Sequence, residues 1–420
     1  MATDTKGAVE AKPAPIPFDP FELEDVVSGN IRDPYPRFAE LRRQAPVHAG
    51  PIDLGEEVPE PEPDTGKPPA ITVFGFDEAV EVLRDNETYS SAIYAGVMGE
   101  VMGRTILQMD EPEHRMQRAL VSPSLRSKVL ERWEGDLVQQ VVNELIDLFA
   151  ADGRADLVQQ LTFNFPVQVI AHILGLPRSD FPTFQRWAIE ITSVTANWER
   201  GIAASAALRD YFAEILAERR RHPSEDLISE LVQVEVDGRK LDDEEIYSFL
   251  RLLLPAGVET TYRASGSMLY GLLTNPDQYR AVREDRSLVP VAFEETIRWE
   301  PPVTVILRQA TRDTELGRVP VQKGADVGLL LGSANRDERK YEHPDQFDIF
   351  RESRQSLGFG FGVHVCVGMH LARMETRVAI DTLFDRLPDM ELAPEPGQDV
   401  HIKGMAFRSP IALPVTFSPS

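Results

Sequence analysis

The sequence predicts a mainly α-helical protein with a small β-rich region, and three observations carry that prediction. Long stretches repeat apolar residues at helical spacing, with Gly and Pro gathered at the breaks between them. Extended stretches are short, falling near Val47 and at Ala70–Phe74 and again after residue 300. Nothing in the composition marks a linker within the 420 residues, so 17–420 is expected to form a single domain around one large core.

Taken in order, 1–16 reads as a flexible tail: Met1–Pro15 is rich in Ala, Lys and Pro and lacks the apolar run of a signal peptide or an anchor helix. Tyr35–Gln44, with Phe38 and Leu41 on one side, reads as a helix. The strand near Val47 returns in a hairpin through Ala70–Phe74. Its turn is enlarged by 51–69, an acidic, Pro-rich insertion whose like charges and prolines cannot build core. A partner-binding role is the less economical reading of that loop.

Asp77–Arg84 is the next helix. Glu87–Met109 mixes Gly with Ile93, Tyr94, Val97, Met98, Val101 and Met102 in no clean period, which reads as a buried loop. Asp110–His114 opens a helix, with Pro112 near its start and acids in its first turn. His114 and Arg118 lie four apart and so share a face; taken alone, such a pair most often marks a solvated surface.

Long helical patterns follow at Lys128–Ala150, Leu157–Leu174, Phe181–Ser193 and Ile202–Arg221, the last two joined by Thr192–Arg200. The longest pattern, Asp242–Thr274, carries Leu253-Leu254-Pro255-Ala256-Gly257-Val258-Glu259-Thr260-Thr261 in its middle. The small pair Ala256 and Gly257 lets a helix pass close to a flat ligand. The Thr260 hydroxyl can bond a carbonyl one turn back, and Pro255 removes an amide donor, so a distorted turn is expected there. An acid beside an alcohol, Glu259 beside Thr260, is suited to passing protons through ordered water. A plain helix end at Pro255 is the competing reading, and the apolar pattern continuing through Met268 and Leu272 opposes it.

Glu294–Arg298 lies on a helix that ends before Pro301. Glu295 and Arg298 share a face at i, i+3, a pattern common on any solvated helix. Val303–Thr311, Pro320–Leu331 and Ile402–Pro414 read as strands, with Val303 and Val305 on one side of the first. Phe347–Ser356 reads as irregular coil.

Charge and cysteine usage narrow the function. Lys+Arg 44 against Asp+Glu 68 gives a formal charge of -24, which argues against nucleic acid and anionic membrane as partners. A single cysteine excludes an internal disulfide framework and fits a reducing, cytoplasmic setting. No stretch approaches the length of a membrane span.

That cysteine, Cys366, stands in Phe359-Gly360-Phe361-Gly362-Val363-His364-Val365-Cys366-Val367-Gly368, and a helical pattern runs from Leu371 to Leu387. The sulfur is placed just before a helix N-terminus, where free amides and the dipole favour a thiolate. Gly360 and Gly362 permit backbone angles that a loop pressed on a flat cofactor requires. A lone cysteine is most often a small buried hydrophobe; the whole string F-G-x-G-x-H-x-C-x-G is not explained that way. It resembles the heme-binding loop of the cytochrome P-450 family, in which the cysteine is the axial thiolate on heme iron.

Three further strings resemble that family in its order. Ala256–Thr260 resembles A-G-x-[DE]-T, His114 with Arg118 resembles its H-x-x-x-R, and Glu295 with Arg298 resembles its E-x-x-R. The resemblance spans about Phe18 to Val415 and implies the P-450 fold. It implies heme b held through Cys366, with Phe359, Gly360, Gly368, Ala256 and Gly257 against it. His114, Arg118, Arg308 and His364 would bind the propionates. Glu295 and Arg298 would form a structural ion pair, with Arg351 or Arg354 supplying a further arginine. Ser356 stands where many bacterial relatives have histidine.

The implied reaction inserts one atom of O2 into an organic substrate, with Glu259 and Thr260 in proton delivery. Electrons would come from a separate ferredoxin and ferredoxin reductase, since the chain has no spare cysteines for a cluster and no room for a fused reductase. The expected docking face carries Arg115, Arg126 and Lys128. The matching substrate loop and lid are Glu87–Met109 and Thr192–Arg200. The candidate pocket, Val97, Met98, Val101, Leu253, Ala256, Val303, Val305, Met405 and Phe407, suits an apolar small molecule. A peroxide-driven peroxygenase of the same fold would dispense with Glu259–Thr260, and a heme-thiolate sensor would want an output module.

Overall fold

The backbone divides into an α-rich body and a sheet that draws strands from both ends of the chain. The computed structural model describes residues 29–52, 66–125, 133, 137–194, 197–352 and 355–419. The tail 1–16, most of the 51–69 insertion, Arg126, Lys128 and Arg354 lie outside the described residues.

From the N-terminal side come α1 (Tyr35–Gln44), α2 (Phe76–Arg84), α3 (Ile93–Met102), α4 (Glu113–Val121) and α5 (Gln139–Asp147). Then follow α6 (Phe165–Ile173), α7 (Phe181–Thr192), α8 (Trp198–Arg221), α9 (Leu227–Gln233) and α10 (Asp243–Leu254). The last are α11 (Thr260–Leu273), α12 (Pro276–Glu284), α13 (Val289–Trp299) and α14 (Met369–Arg386). The main sheet has the order β1-β2-β8-β5-β3, built from Val47–Ala49, Ile71–Val73, Asp326–Leu330, Val305–Ala310 and Tyr89–Ser90. β2 and β8 run parallel, with Ile71 opposite Val327; the other pairings are antiparallel. β4 (Arg154–Asp156), β12 (Pro414–Thr416) and β9 (Glu391–Leu392) form a second small sheet, β6 (Thr314–Leu316) pairs with β7 (Val319–Val321), and a small hairpin near the C-terminus pairs β10 (Ile402–Lys403) with β11 (Ser409–Pro410).

Three departures from the sequence reading have physical causes. Glu87–Met109 contains α3, in which Gly96, Gly99 and the lone polar residue Glu100 interrupt an otherwise apolar sequence, so it carries no clear amphipathic stripe to reveal it. Leu157–Leu174 is split into a π turn (Val158–Thr162) and α6, with Pro166 in the first turn of the latter. α8 starts at Trp198, four residues before the apolar period does, because the Asn197 side chain accepts from Arg200 N at 3.1 Å. The connection from α7 is correspondingly short.

The longest pattern is one helical run with a defect. α10 opens on a capping box between Asp242 and Glu245. The run widens into a π turn over Pro255–Glu259, where Pro255 has no amide to donate, and resumes as α11. Leu254 and Val258 are buried while Ala256 between them is exposed, so the distorted turn turns one small side chain to an open space.

α13 fixes the approach to the cysteine loop. Arg298 donates to both oxygens of Glu295, at 2.8 and 2.7 Å, and both side chains are buried. The same guanidinium donates to the carbonyls of Asn335 (3.1 Å), Pro344 (2.7 Å) and Gln346 (2.9 Å). Glu295 also accepts from Asp348 N at 2.9 Å and lies 3.4 Å from Arg351. Arg351 thus stands beside the pair. Removing one partner of a buried pair strands the other charge, so Arg298→Ala is expected to cost about 3–5 kcal/mol. Chemical denaturation checks it: a variant as stable as the parent would show that the pair does not hold the fold.

Candidate active site

Cys366 is presented by a tight loop whose geometry its glycines make possible. Cys366 N donates to Phe359 O at 2.8 Å and Gly360 N to Leu357 O at 2.8 Å. Gly360 and Gly362 both have φ 72°, in the left-handed region. A Cβ on Gly362 would lie 2.2 Å from Leu83 O, so this glycine also lets the loop press on α2. Gly368 then caps α14, and the amides of Gly368 and Met369 bond the sulfur. Burial nevertheless pushes the thiol up, and these amides with the Arg118 and Arg373 charges only pull it part of the way back. The expected thiolate-favouring donors are in place, but desolvation is the larger effect; a coordinated metal ion would reverse it outright. Cys366 keeps intermediate exposure and so remains open to a ligand.

Four cationic or cation-capable groups gather at this loop. Arg118 on α4 donates to Val363 O at 3.1 Å and to Val365 O, spanning the residues before the cysteine. His114, one turn earlier, stacks on His364 with ring centroids 4.1 Å apart. His114 Nδ1 lies 3.1 Å from Glu111 Oε1, while its Nε2 and that of His364 are buried without a protein partner. The Arg308 charge reaches His364 as well: burial, then His114, Arg308 and Arg118, push its ring down to about 3. Two arginines and two orphaned ring nitrogens in one buried place form a donor set suited to carboxylates. That is the chemistry of a heme edge, and the residues present fit that group.

The other expected residues are not all in this cluster. Thr260 Oγ1 donates to Ala256 O at 2.7 Å, the one-turn-back bond expected of it. Glu259 Oε1 accepts from Arg263 Nε at 2.8 Å and from Tyr262 OH at 3.3 Å. Gly257 packs on Ile170 and Leu253.

Of the pocket residues, Met98, Val303, Met405 and Phe407 are part-exposed, and Val303 bridges Phe407. Val101 is fully enclosed in the main core, so it has no surface to offer a ligand, and Leu253 is nearly so. Val305 packs with Met405 on the Tyr35, Phe38 and Phe74 cluster. By the two-residue period of a strand, the Arg308 side of β5 carries Ile306 and Thr304, not Val303 and Val305. The side chain of Val97 lies outside the described ones. Arg115, expected to face a redox partner, is exposed and lies 3.8 Å from Glu111.

Sequence reasoning missed Arg263, Tyr94 and Arg373. Tyr94 OH accepts from Leu307 N at 2.9 Å beside Arg308. Arg373 donates to Glu294 at 2.6 Å and lies over the Phe359 ring at 4.8 Å. Each gains its meaning from a partner distant in sequence, or in Arg263's case from burial, neither of which spacing reveals.

Comparison with known proteins bears on this site. The family model described as Cytochrome P450 matches residues 181–403. Nocardicin C N-oxygenase of Nocardia uniformis is 39% identical over 92% of the chain and 96% of that protein. Among solved structures, a cytochrome P450 of Bacillus megaterium in complex with testosterone has a TM-score of 0.81 and 29% identity, covering 92% of this chain and 99% of that one. A P450 in complex with hexadec-9Z-enoic acid ligated acyl carrier protein has a TM-score of 0.80 and 30% identity, over 92% of this chain and 98% of that one.

The loop geometry itself is testable. Gly362→Ala places a side chain at positive φ and against a backbone oxygen, and is expected to destabilise by more than about 1 kcal/mol. Gly397→Ala, at a positive-φ turn with open space around it, serves as the control. Equal thermal midpoints for the two variants would show that the contact with α2 carries no weight.

Proposed function

The chain belongs to the cytochrome P450 family, oxidoreductases that hold heme iron through a cysteine thiolate and use O2, and we propose that Cys366 is the iron ligand of this member. The observation that carries the proposal is the single cysteine on a glycine-shaped loop with the buried donor set of Arg118, His114, His364 and Arg308 beside it. When bound, the heme supplies dioxygen binding and activation. The chain supplies the rest. Arg118 and Arg308 with the two orphaned histidine nitrogens would hold the propionates, in charge-assisted bonds roughly twice as strong as neutral ones.

In this reading the widened turn Pro255–Glu259 would leave room for the cofactor and its O2, with the small, exposed Ala256 on the open side. Thr260, already bonded to Ala256 O, can turn its hydroxyl to hold a water. Glu259 relays protons from solvent to that water. The substrate is a small, largely apolar molecule against Met98, Ala256, Ile306 and Phe407. Electrons come from a separate ferredoxin and its reductase, for Cys366 alone cannot build an iron–sulfur cluster. A cytoplasmic setting fits that lone thiol, and no helix among the described residues is long and apolar enough to cross a membrane.

Two measurements test this. The ferrous carbonyl complex of the parent should show the red-shifted Soret band of thiolate ligation, and Cys366→Ala should lose it; a variant that keeps the band would remove Cys366 from the iron. Testosterone and hexadec-9Z-enoic acid, the molecules named for solved relatives, serve as first probes of a Soret spin-state shift. With a probe that shifts the band, Thr260→Ala should keep the shift and the heme while more oxygen leaves as peroxide per electron pair. Unchanged coupling would make Thr260 a structural residue.

A further inference from the structure

We propose that Arg263 is a positioning residue for Glu259, holding the acid in one place at the distorted turn and taking its own place from the C-terminal hairpin. The inference rests on the reading of Glu259 as the proton relay. Arg263 is fully buried, at 0% exposure, in the middle of the molecule's longest helical run. A guanidinium in that setting must be met by an anion and by acceptors for its remaining N–H groups. The anion is Glu259, one turn earlier: Nε and Nη2 of Arg263 both donate to Oε1, and the Tyr262 hydroxyl donates to the same oxygen. The Glu259 side chain keeps 12% exposure, so it sits at the boundary between the buried cation and the open space.

The other side of Arg263 is held by residues from far along the chain. Nη1 donates to Ser409 Oγ at 3.2 Å, and the guanidinium lies over the rings of Tyr262 and Phe407, at 5.0 and 5.5 Å. Ser409 begins β11, and Phe407 lies in the turn that joins it to β10. One cation therefore ties the relay acid to the hairpin that carries Met405 and Phe407. An acid that must turn repeatedly between solvent and a held water needs a fixed point of return. The fork of Arg263 provides it, and lysine, with one ammonium, can keep the charge but not both the Glu259 and Ser409 bonds.

The test uses holoenzyme without substrate, supplied with a plant-type ferredoxin and its NADPH-driven reductase. Oxygen uptake then needs protons as well as electrons: two of each per O2 for peroxide, four of each for two waters. The variants are Glu259→Gln, Arg263→Gln, Arg263→Lys and the double Glu259→Gln/Arg263→Gln. Glu259→Gln and Arg263→Gln are each expected to slow uptake on the order of a hundredfold, the double no more than either, and Arg263→Lys about tenfold. Thermal midpoints of the same set give a readout independent of turnover, with non-additive losses expected for a coupled pair.

A purely structural Arg263 would lower the midpoint and leave uptake at the parent rate, or its effect would multiply with that of Glu259→Gln; either result overturns the proposal. Should Arg263→Gln retain no heme, Arg263→Lys decides, and parent-like uptake in that variant overturns it. If Glu259→Gln itself matches the parent, the relay reading falls and Arg263's role with it. If Glu259→Gln is slow while both Arg263 variants are not, only this inference falls.

Discussion

The rest of the architecture hangs on the ion pair between Glu295 and Arg298. Arg298 binds the carbonyls of Asn335, Pro344 and Gln346 as well as its carboxylate, and Glu295 collects the amide of Asp348 and the side chain of Arg351. The irregular coil on the way to the cysteine thus has no regular ladder of its own and is pinned to α13 by charge. Asn335 Oδ1 then accepts from Leu357 N at 2.7 Å, and a Cβ on Gly358 would strike Ile297 at 2.3 Å. Through these contacts the position of one helix becomes the position of Cys366. Such a pair is costly to bury and contributes less to net stability than its bonds suggest. Its value here is that it determines where an irregular segment lies.

Much of this was legible in the sequence wherever the constraint is local. The positive φ at Gly360 and Gly362, the defect at Pro255 and the i, i+3 pairing of Glu295 with Arg298 are all dictated by residues within a turn of one another. Helices with an apolar stripe, such as α2 and α13, likewise declared themselves. What stayed hidden depends on distance or on a missing contrast. α3 is apolar or Gly at all but Glu100, so it lacks the contrast between faces that would mark a helical period. The facing of Val305 is set by the register of β5 against β8, which no single strand contains. Arg263 looks in sequence like any cation four residues after an acid; only its complete burial shows that the pair is internal.

The surroundings of Cys366 and of Glu259 are built on opposite electrostatics. Around Cys366 the protein concentrates positive charge in a desolvated place, which depresses the protonation of His364 and draws the thiol back toward its anion. Around Glu259 the buried Arg263 cation is paired with that acid, and the aromatic faces of Tyr262 and Phe407 lie against it as well. One region is left in want of anions, and the other is internally balanced. That difference suits the roles proposed for them, a static grip on carboxylates in the first and a turning acid in the second.

The main sheet has a consequence for how the chain is made. β2 pairs with β8, so Ile71 leaves the ribosome long before Val327 exists to meet it. A hairpin of two three-residue strands cannot stand alone in the interval, and its edge is open to any other strand that passes. Between its two strands the sequence carries Glu56, Glu57, Glu60, Glu62 and Asp64 among prolines, a composition that disfavours strand addition. Late closure of a long-range sheet is slow for the same entropic reason. An acidic, proline-bearing connection in the sequence between β1 and β2 disfavours pairing with other chains during the interval before the C-terminal third arrives.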